Sequence, residues 1–430
     1  MRLLFLAPSR VSRGEAMLAA DVARHLPRAG FEAGFAAAEE SLPHLRELGL
    51  PALPVAGETA ARCLEALDPL VRGFKPDCLI TADAFSLHQR EGWHGLGVGT
   101  LRERYGLPVA SFDRVGWQAA GYTADMYGGE HLHLPKLLDD CDAVLRLSPP
   151  LPPGPLAPGT VVAPLRLGGL RDGGLRSLQP ASADSVAADS AATGSAASDS
   201  ATSDSTTSGS TAADRRPTVF LVTSRWETRN PARSLPVAQL IDALPRVLHS
   251  HLAALGRPLR VVHVASRPWR FPVAEQIEYR HFGRLPFAMF HERVASADLF
   301  LTTNLLSPTL AQAVLNGTPA VLLGNGRELG PHEMPDWLVA AAPLLRGAHP
   351  FRVAPLGWHD LLEPMLEGNP YAECFASAQI FDREDTARAI TTLLDDAGAR
   401  DRLAARRQEL TDALAALPPP GPALRAAVGR

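Results

Sequence analysis

Three groups of residues have types and spacings that could do chemistry. The first is Asn304-Leu305-Leu306-Ser307-Pro308-Thr309. Serine followed by proline is the pattern of an N-cap with proline in the first helical position, which leaves the first free backbone N–H groups pointing out of the helix end. Such an end offers roughly half a positive charge to an anion, and phosphates of α/β proteins bind there. Asn304, Ser307 and Thr309 are therefore candidate phosphate contacts. Loops of this kind usually carry glycine, so that the backbone can close on the anion; here two leucines stand in the loop. A well-capped helix with no ligand fits the same residues equally well.

The second group is acidic. Glu15 follows Gly14 at the start of an Ala-rich helical run, and Asp113 ends the apolar stretch PVASF. A carboxylate serves as a general base when burial raises its pKa. For Glu15 the plainer reading, a favourable place beside the positive end of a helix dipole, comes first. The third group is polar and aromatic. DAFSLHQREGWHG holds Asp83, His88, Trp93 and His94; FDRVGWQAAGYTADMYGGEHLHLP holds Trp117, Tyr122, Asp125, Tyr127, His131 and His133. The glycines among them suggest loops, and Trp or Tyr on a loop at a cleft binds flat or sugar-like groups. Trp93, His94, Trp117, Asp125 and Tyr127 are candidate contacts to such a group. His131-x-His133 has no clear third ligand, so an incidental pair outweighs a metal site.

These residues need elements to hold them. RLLFLAP reads as a buried strand, GEAMLAADVARHLPRAG as a helix ending before Gly30, and FEAGFAA as the next strand. PDCLITAD, PVASFD and DAVLRLS follow as short apolar runs, with PKLLDDC as a helix before the last. The second half repeats the style with TVFLVTS, a helix through LPVAQLIDALPRVLHSHLAAL, LRVVHVAS, IEYRHF and DLFLTT, and closes on one long helical stretch from Arg383. Strands alternating with helices imply parallel sheets of βαβ units. The expected fold is α/β, with two Rossmann-like domains whose sheets face a cleft. Residues 1–170 form the first domain and 217–430 the second, with a closing C-terminal helix. Residues 171–216 form a disordered Ala/Ser/Asp/Thr-rich linker, because such a stretch buries too little apolar surface to offset its ordering entropy.

Composition agrees. A chain of 430 residues is long for one core, and 46% hydrophobic with 20% charged residues is globular. A net charge of -4 gives no reason to expect nucleic acid or an anionic membrane as partner. The four cysteines form no CxxC pair, which argues against a zinc or thiol redox motif and fits a reduced, cytoplasmic protein. MRLLFLAPSR is too short in its apolar run for a signal peptide or a membrane span.

The chain resembles the GT-B glycosyltransferases. FGRLPFAMFHERVASADLFLTTNLLSPTLAQAVLNGTPAVLL is similar to that family's run, with Ala297-Asp298, Thr303, Thr309, Ala313 and Gly317-Thr318-Pro319 in matching order and spacing. SRGEAMLAADVARHLPRAGFEA resembles the family's first loop and helix. The resemblance implies transfer of a sugar from a nucleotide-sugar co-substrate to a small-molecule acceptor, with no metal and no resident cofactor; it makes residues 1–170 the acceptor side, with Trp93, His94, Trp117, Asp125 and Tyr127 as acceptor contacts, and 217–430 the donor side. It puts the diphosphate at Ser307, and Ser224-Arg225 near the diphosphate or sugar, with Trp226 as a stacking surface. Phe282 and Arg284 fall near the nucleobase, and Asn325 and Glu328 near the sugar. Gln312 stands where the family has an acid for the ribose hydroxyls, and Glu15 where inverting members have a histidine base; Asp113 could replace Glu15. These departures keep two alternatives open. One is a GT-B-fold enzyme acting differently on a phosphorylated or carboxylated metabolite. The other is a non-catalytic auxiliary to a true transferase.

Overall fold

Strands buried on both faces account for the two sheets. Leu3, Leu4, Phe5 and Leu6 are all buried, as a parallel strand between two helix layers requires. The computed structural model describes residues 1–10, 12–88, 92–113, 123–124, 132–133, 136–152, 156, 158–165, 216–224, 235–270, 274–324, 332–343 and 366–428. The expected linker therefore lies almost wholly outside the described residues.

In the first half the strands are β1 (Arg2–Ala7), β2 (Glu32–Ala37), β3 (Ala52–Pro54), β4 (Cys78–Thr81), β5 (Val109–Asp113), β6 (Thr123–Ala124), β7 (Leu132–His133), β8 (Ala143–Ser148) and β9 (Thr160–Pro164). Seven of them form one parallel sheet in the order β3-β2-β1-β4-β5-β8-β9, and β6 and β7 pair by themselves. The second half has β10 (Thr218–Thr223), β11 (Leu259–Ala265), β12 (Ile277–Phe282), β13 (Leu299–Thr302), β14 (Ala320–Gly324) and β15 (Ala376–Gln379), parallel in the order β12-β11-β10-β13-β14-β15. In each sheet the strand order reverses beside the first strand, between β1 and β4 and between β10 and β13. Ligands of open α/β sheets bind outside the carboxyl ends of strands at such reversals.

The helices are α1 (Gly14–His25), α2 (Leu42–Glu47), α3 (Ala60–Phe74), α4 (Ala84–His88), α5 (Val98–Tyr105) and α6 (Lys136–Asp139) in the first half. Then come α7 (Leu235–Ala254), α8 (Phe287–Ser296), α9 (Pro308–Asn316), α10 (Asp336–Ala341), α11 (Arg383–Asp395), α12 (Ala397–Ala415) and α13 (Pro420–Val428). The helical stretch expected from Arg383 is two helices, because Asp396 turns the chain and caps the second, its Oδ1 accepting from Ala399 N at 3.1 Å. The last helix crosses back to the first sheet. It packs on β8 and β9 and against α1, and Arg425 donates to the Ala29 carbonyl at 2.5 Å.

The two halves also meet directly. One cluster of buried apolar side chains runs from Leu3, Phe5 and Ile80 into Phe220, Leu305 and Leu310. On the interface rim, the backbone N–H of Phe287 at the start of α8 donates to Glu47 Oε1 of α2 at 2.5 Å. Arg284 lies 3.6 Å from the other Glu47 oxygen.

Candidate functional site

Four chain segments leave the two strand reversals, and each carries a polar residue. Glu15 follows β1, Asp83 follows β4, Ser224 follows β10 and Asn304 follows β13. The loops after β1 and β13 touch: a Cβ added at Gly14 would lie 2.9 Å from Pro308 Cγ. The absence of a side chain at Gly14 is what lets α1 and α9 start against each other.

On the first side, serines build the entry to α1. Ser9 Oγ accepts from Ser12 N at 3.0 Å and Ser12 Oγ accepts from Gly14 N at 3.2 Å. Glu15 stands in the first turn, half-buried, with Oε2 shielded from solvent. Asp83 is fixed at the start of α4. Its Oδ1 accepts from Phe85 N at 3.1 Å and its Oδ2 from Ser86 Oγ at 2.9 Å. Those bonds favour the charged form, yet burial, with the charge of Glu15 second, pushes the Asp83 carboxyl up to about 7. Two acids with nearby charges cannot both ionise freely. A carboxyl raised that far can take or give a proton near neutrality, the condition for moving one at working pH. Sequence reading noted Asp83 among polar-aromatic residues but missed it as an acid. The signal was its place directly after the apolar run CLITA.

On the second side, Ser307 is the N-cap of α9, its Oγ accepting from Thr309 N at 3.2 Å. Thr309 is buried beside it. Asn304 shapes the loop rather than its surface: its Oδ1 accepts from Leu306 N at 2.9 Å and its carbonyl from Ser307 N at 3.1 Å. Leu305 is buried in the cluster shared by the two halves and Leu306 packs against it. The leucines are thus part of the apolar seam. Gln312 is buried, and its carboxamide nitrogen donates to His291 Nδ1 on α8 at 2.6 Å. Burial, then the charge of Arg24, holds His291 down to about 4, so this pair joins α8 to α9 as neutral groups.

The other expected residues divide. Asp113 is buried against Arg146, whose Nη1 donates to its Oδ1 at 3.3 Å across β5 and β8. Burial lowers the pKa of that arginine while Asp113 raises it. An arginine partner favours the ionised carboxylate, so Asp113 is placed as half of an ion pair. The expectation that Trp93 belongs to a loop rather than to the core is corrected: the ring is wholly buried in the first core, where its large apolar area is removed from water. His94 Nε2 donates to the Gly57 carbonyl at 2.9 Å, and Arg10 donates to the same oxygen at 2.7 Å. His94 thereby ties two loops of the carboxyl edge together. Ser224 and Phe282 are half-buried at the ends of β10 and β12. Trp117, Tyr122, Asp125, Tyr127, His131, Arg225, Trp226, Asn325 and Glu328 lie outside the described residues. Among the described residues no group of three His, Cys, Asp or Glu side chains is placed to hold a metal, and no helix is long and apolar enough to cross a membrane.

Known proteins give the comparison its scale. The family described as "Family of unknown function (DUF6365)" matches residues 22–430. No curated protein matches the sequence. Among solved structures, the chain is similar to the spinosyn forosaminyltransferase SpnP, with 15% identity, 100% of both chains covered and a TM-score of 0.55. It is similar to the spinosyn rhamnosyltransferase SpnG complexed with thymidine diphosphate, with 15% identity, 99% of each chain covered and a TM-score of 0.55. It is also similar to the glycosyltransferase VinC in complex with dTDP, with 13% identity, 100% and 99% covered and a TM-score of 0.53. These are GT-B glycosyltransferases, and the two facing parallel sheets are that fold.

Proposed function

This chain belongs to the DUF6365 family of unknown function, and we propose that it is a glycosyltransferase-like enzyme that moves a sugar from a nucleotide-sugar donor to a small-molecule acceptor. The observation that carries the reading is the opposition, across the Gly14–Pro308 contact, of the Glu15–Asp83 carboxylate pair and the capped start of α9. The fold and the dTDP named in two of the similar structures support the choice of donor class.

The chemistry follows from the two poles. The acceptor hydroxyl gives its proton to the carboxylate pair as its oxygen attacks the anomeric carbon. The bond from that carbon to the diphosphate breaks, and its electron pair leaves with the diphosphate. The N–H groups and dipole at the start of α9 stabilise the charge that develops there. Asp83, raised by burial and by the charge of Glu15, takes the proton, and Ser307 keeps the helix end formed. The reading assigns no metal and no resident cofactor, and places the reaction in the cytoplasm, in secondary metabolism.

Calorimetry with dTDP, UDP and GDP tests it. Binding of one of them, weakened in Ser307→Pro, is the expected result; no measurable heat with any of the three removes the reading. A second reading is favoured by one specific observation. Leu305 is sealed in the interdomain cluster and Gln312 is occupied by His291, so the surroundings of the helix end are rebuilt. In that reading the anion pole serves a different phosphorylated or carboxylated metabolite, or the protein is a non-catalytic auxiliary. A metabolite that binds where nucleotides do not would select the first of these. Nucleotide binding without transfer to any acceptor of a broad panel would favour the second.

A further inference from the structure

A guanidinium that the proposed reaction does not use stands at the carboxyl edge of the first sheet. β1, β2, β3 and β4 run parallel, so the chain leaves all of them on the same edge. Arg10 follows β1, Gly57 follows β3, and His94 lies in the turn between α4 and α5. Arg10 donates from Nη2 to the Gly57 carbonyl at 2.7 Å, and His94 donates from Nε2 to the same oxygen at 2.9 Å. A carbonyl oxygen has two lone pairs, and both are taken. Gly57 itself is packed tightly on α3: an added Cβ would lie 2.7 Å from Cys63 N. The oxygen is therefore a fixed post to which two other loops are fastened.

The fastening holds a strained residue. His94 has φ 56°, a left-handed conformation that costs any residue with a Cβ. Among the described residues only Lys75 is another non-glycine of positive φ, and it caps the end of α3, where that conformation is ordinary. His94 is kept there by its bond to Gly57 and by its neighbour Trp93, whose ring is wholly buried. Such strain persists only where the surroundings fix it, and it gathers at ligand sites.

The strained turn secures a charge that has no counter-charge. Arg10 is half-buried, and its bond to Gly57 uses one N–H of the guanidinium. Among the described residues no carboxylate pairs with it; Glu58, beside Gly57, is exposed. The charge is felt in the first turn of α3, at the Cys63 thiol, which burial raises and Arg10 lowers. A neutral donor would fasten Gly57 equally well, so the charge is surplus to the fastening. The planar fork of arginine fits a carboxylate through two parallel N–H bonds. One guanidinium also balances the single charge of a carboxylate, whereas a phosphate near neutrality carries more than one.

We propose that Arg10 binds a carboxylate of the acceptor, held ready for it by the Gly57 carbonyl and by His94 as a positioning residue. The proposal rests on the transferase reading in taking the ligand as the acceptor. It adds the chemical class: a molecule bearing a carboxylate as well as the hydroxyl that is to be glycosylated.

The test is titration of the full chain with benzoate, followed by nitrogen-resolved NMR of the arginine Nε–H groups, with Arg10→Lys assigning the Arg10 signal. Benzamide is the neutral control and inorganic phosphate the anion control. A saturable shift at Arg10 with benzoate, absent with benzamide and smaller with phosphate, is the expected result. By calorimetry, loss of the charged hydrogen bonds predicts benzoate binding weakened roughly tenfold or more in Arg10→Met. Arg10→Lys keeps the charge without the fork and should fall between. His94→Asn retains a residue that tolerates left-handed backbone but cannot reach Gly57. It should weaken benzoate binding in a protein that still melts cooperatively; a purely structural role would move the melt and leave the affinity unchanged. No saturable shift at Arg10, an equal shift with benzamide, or unchanged affinity in Arg10→Met overturns the proposal. An equal shift at the exposed Arg62 also overturns it, by marking benzoate as an adventitious anion only. Failure of nucleotide calorimetry removes the transferase reading but not a benzoate response at Arg10. Failure of the benzoate titration removes the carboxylate site and leaves the donor reading untouched.

Discussion

Replacing Asp83 by asparagine isolates the carboxylate pair. Both hydrogen bonds of the site survive the change, because the asparagine oxygen can accept from Phe85 N and its nitrogen can donate to Ser86 Oγ. What is removed is the charge. The Asp83 carboxyl is raised from 3.8 to about 7 in the folded protein, so the folded state binds this proton more tightly than the unfolded chain. Stability from the protonated form is complete below the unfolded value and is lost as pH rises through the folded one. About three units at 1.36 kcal/mol each sets a ceiling of roughly 4 kcal/mol on the loss. The variant, neutral throughout, should match the wild type near pH 4 and become progressively more stable toward pH 7, levelling above it. Urea unfolding at a series of pH values measures this directly. Glu15→Gln should recover only the smaller part, since burial is the larger cause. Parallel stability curves for wild type and Asp83→Asn would refute the reasoning, and so would an advantage that is greatest in acid.

The other predictions concern neighbouring contacts. Gly14→Ala puts a methyl 2.9 Å from the rigid Pro308 ring; it should cost roughly 1–3 kcal/mol, measured as a lower unfolding midpoint. Arg146→Met strips the buried Asp113 of its guanidinium and should cost roughly 3–5 kcal/mol, with Asp113→Asn in the same chain restoring much of it. Glu47→Gln weakens a charge at the start of α8 and should lower stability by only about 0.5 kcal/mol, an effect that added salt erases.

The sequence showed most clearly what is local. The β1 run, the Ser307-Pro308 cap and the βαβ rhythm are set by neighbours along the chain, and the structure has them where the pattern puts them. The short strands β3 and β15 were not legible, because ALP and ASAQ have little of the length and bulk that mark a strand. Pairings were less legible still. The charge of Glu15 is felt at Asp83 only because β4 lies beside β1, and strand order is a property of the sheet. Arg146 stands within an otherwise apolar strand, and only the register of β5 and β8 names its partner as Asp113. Trp93 misled because glycines around an aromatic describe a loop and not which way its ring turns.

The return of α13 to the first sheet bears on how the protein is made. Ala423, Leu424 and Ala427 are buried in the core cluster that holds most of the first half's buried side chains, and the helix packs on β8 and β9. A ribosome delivers the whole first sheet early, yet the cover over those two strands comes after the entire second sheet. Until then that surface is open to chaperones and to other nascent chains. A premature stop shortly before Pro420 would be felt in the half of the protein that was synthesised first.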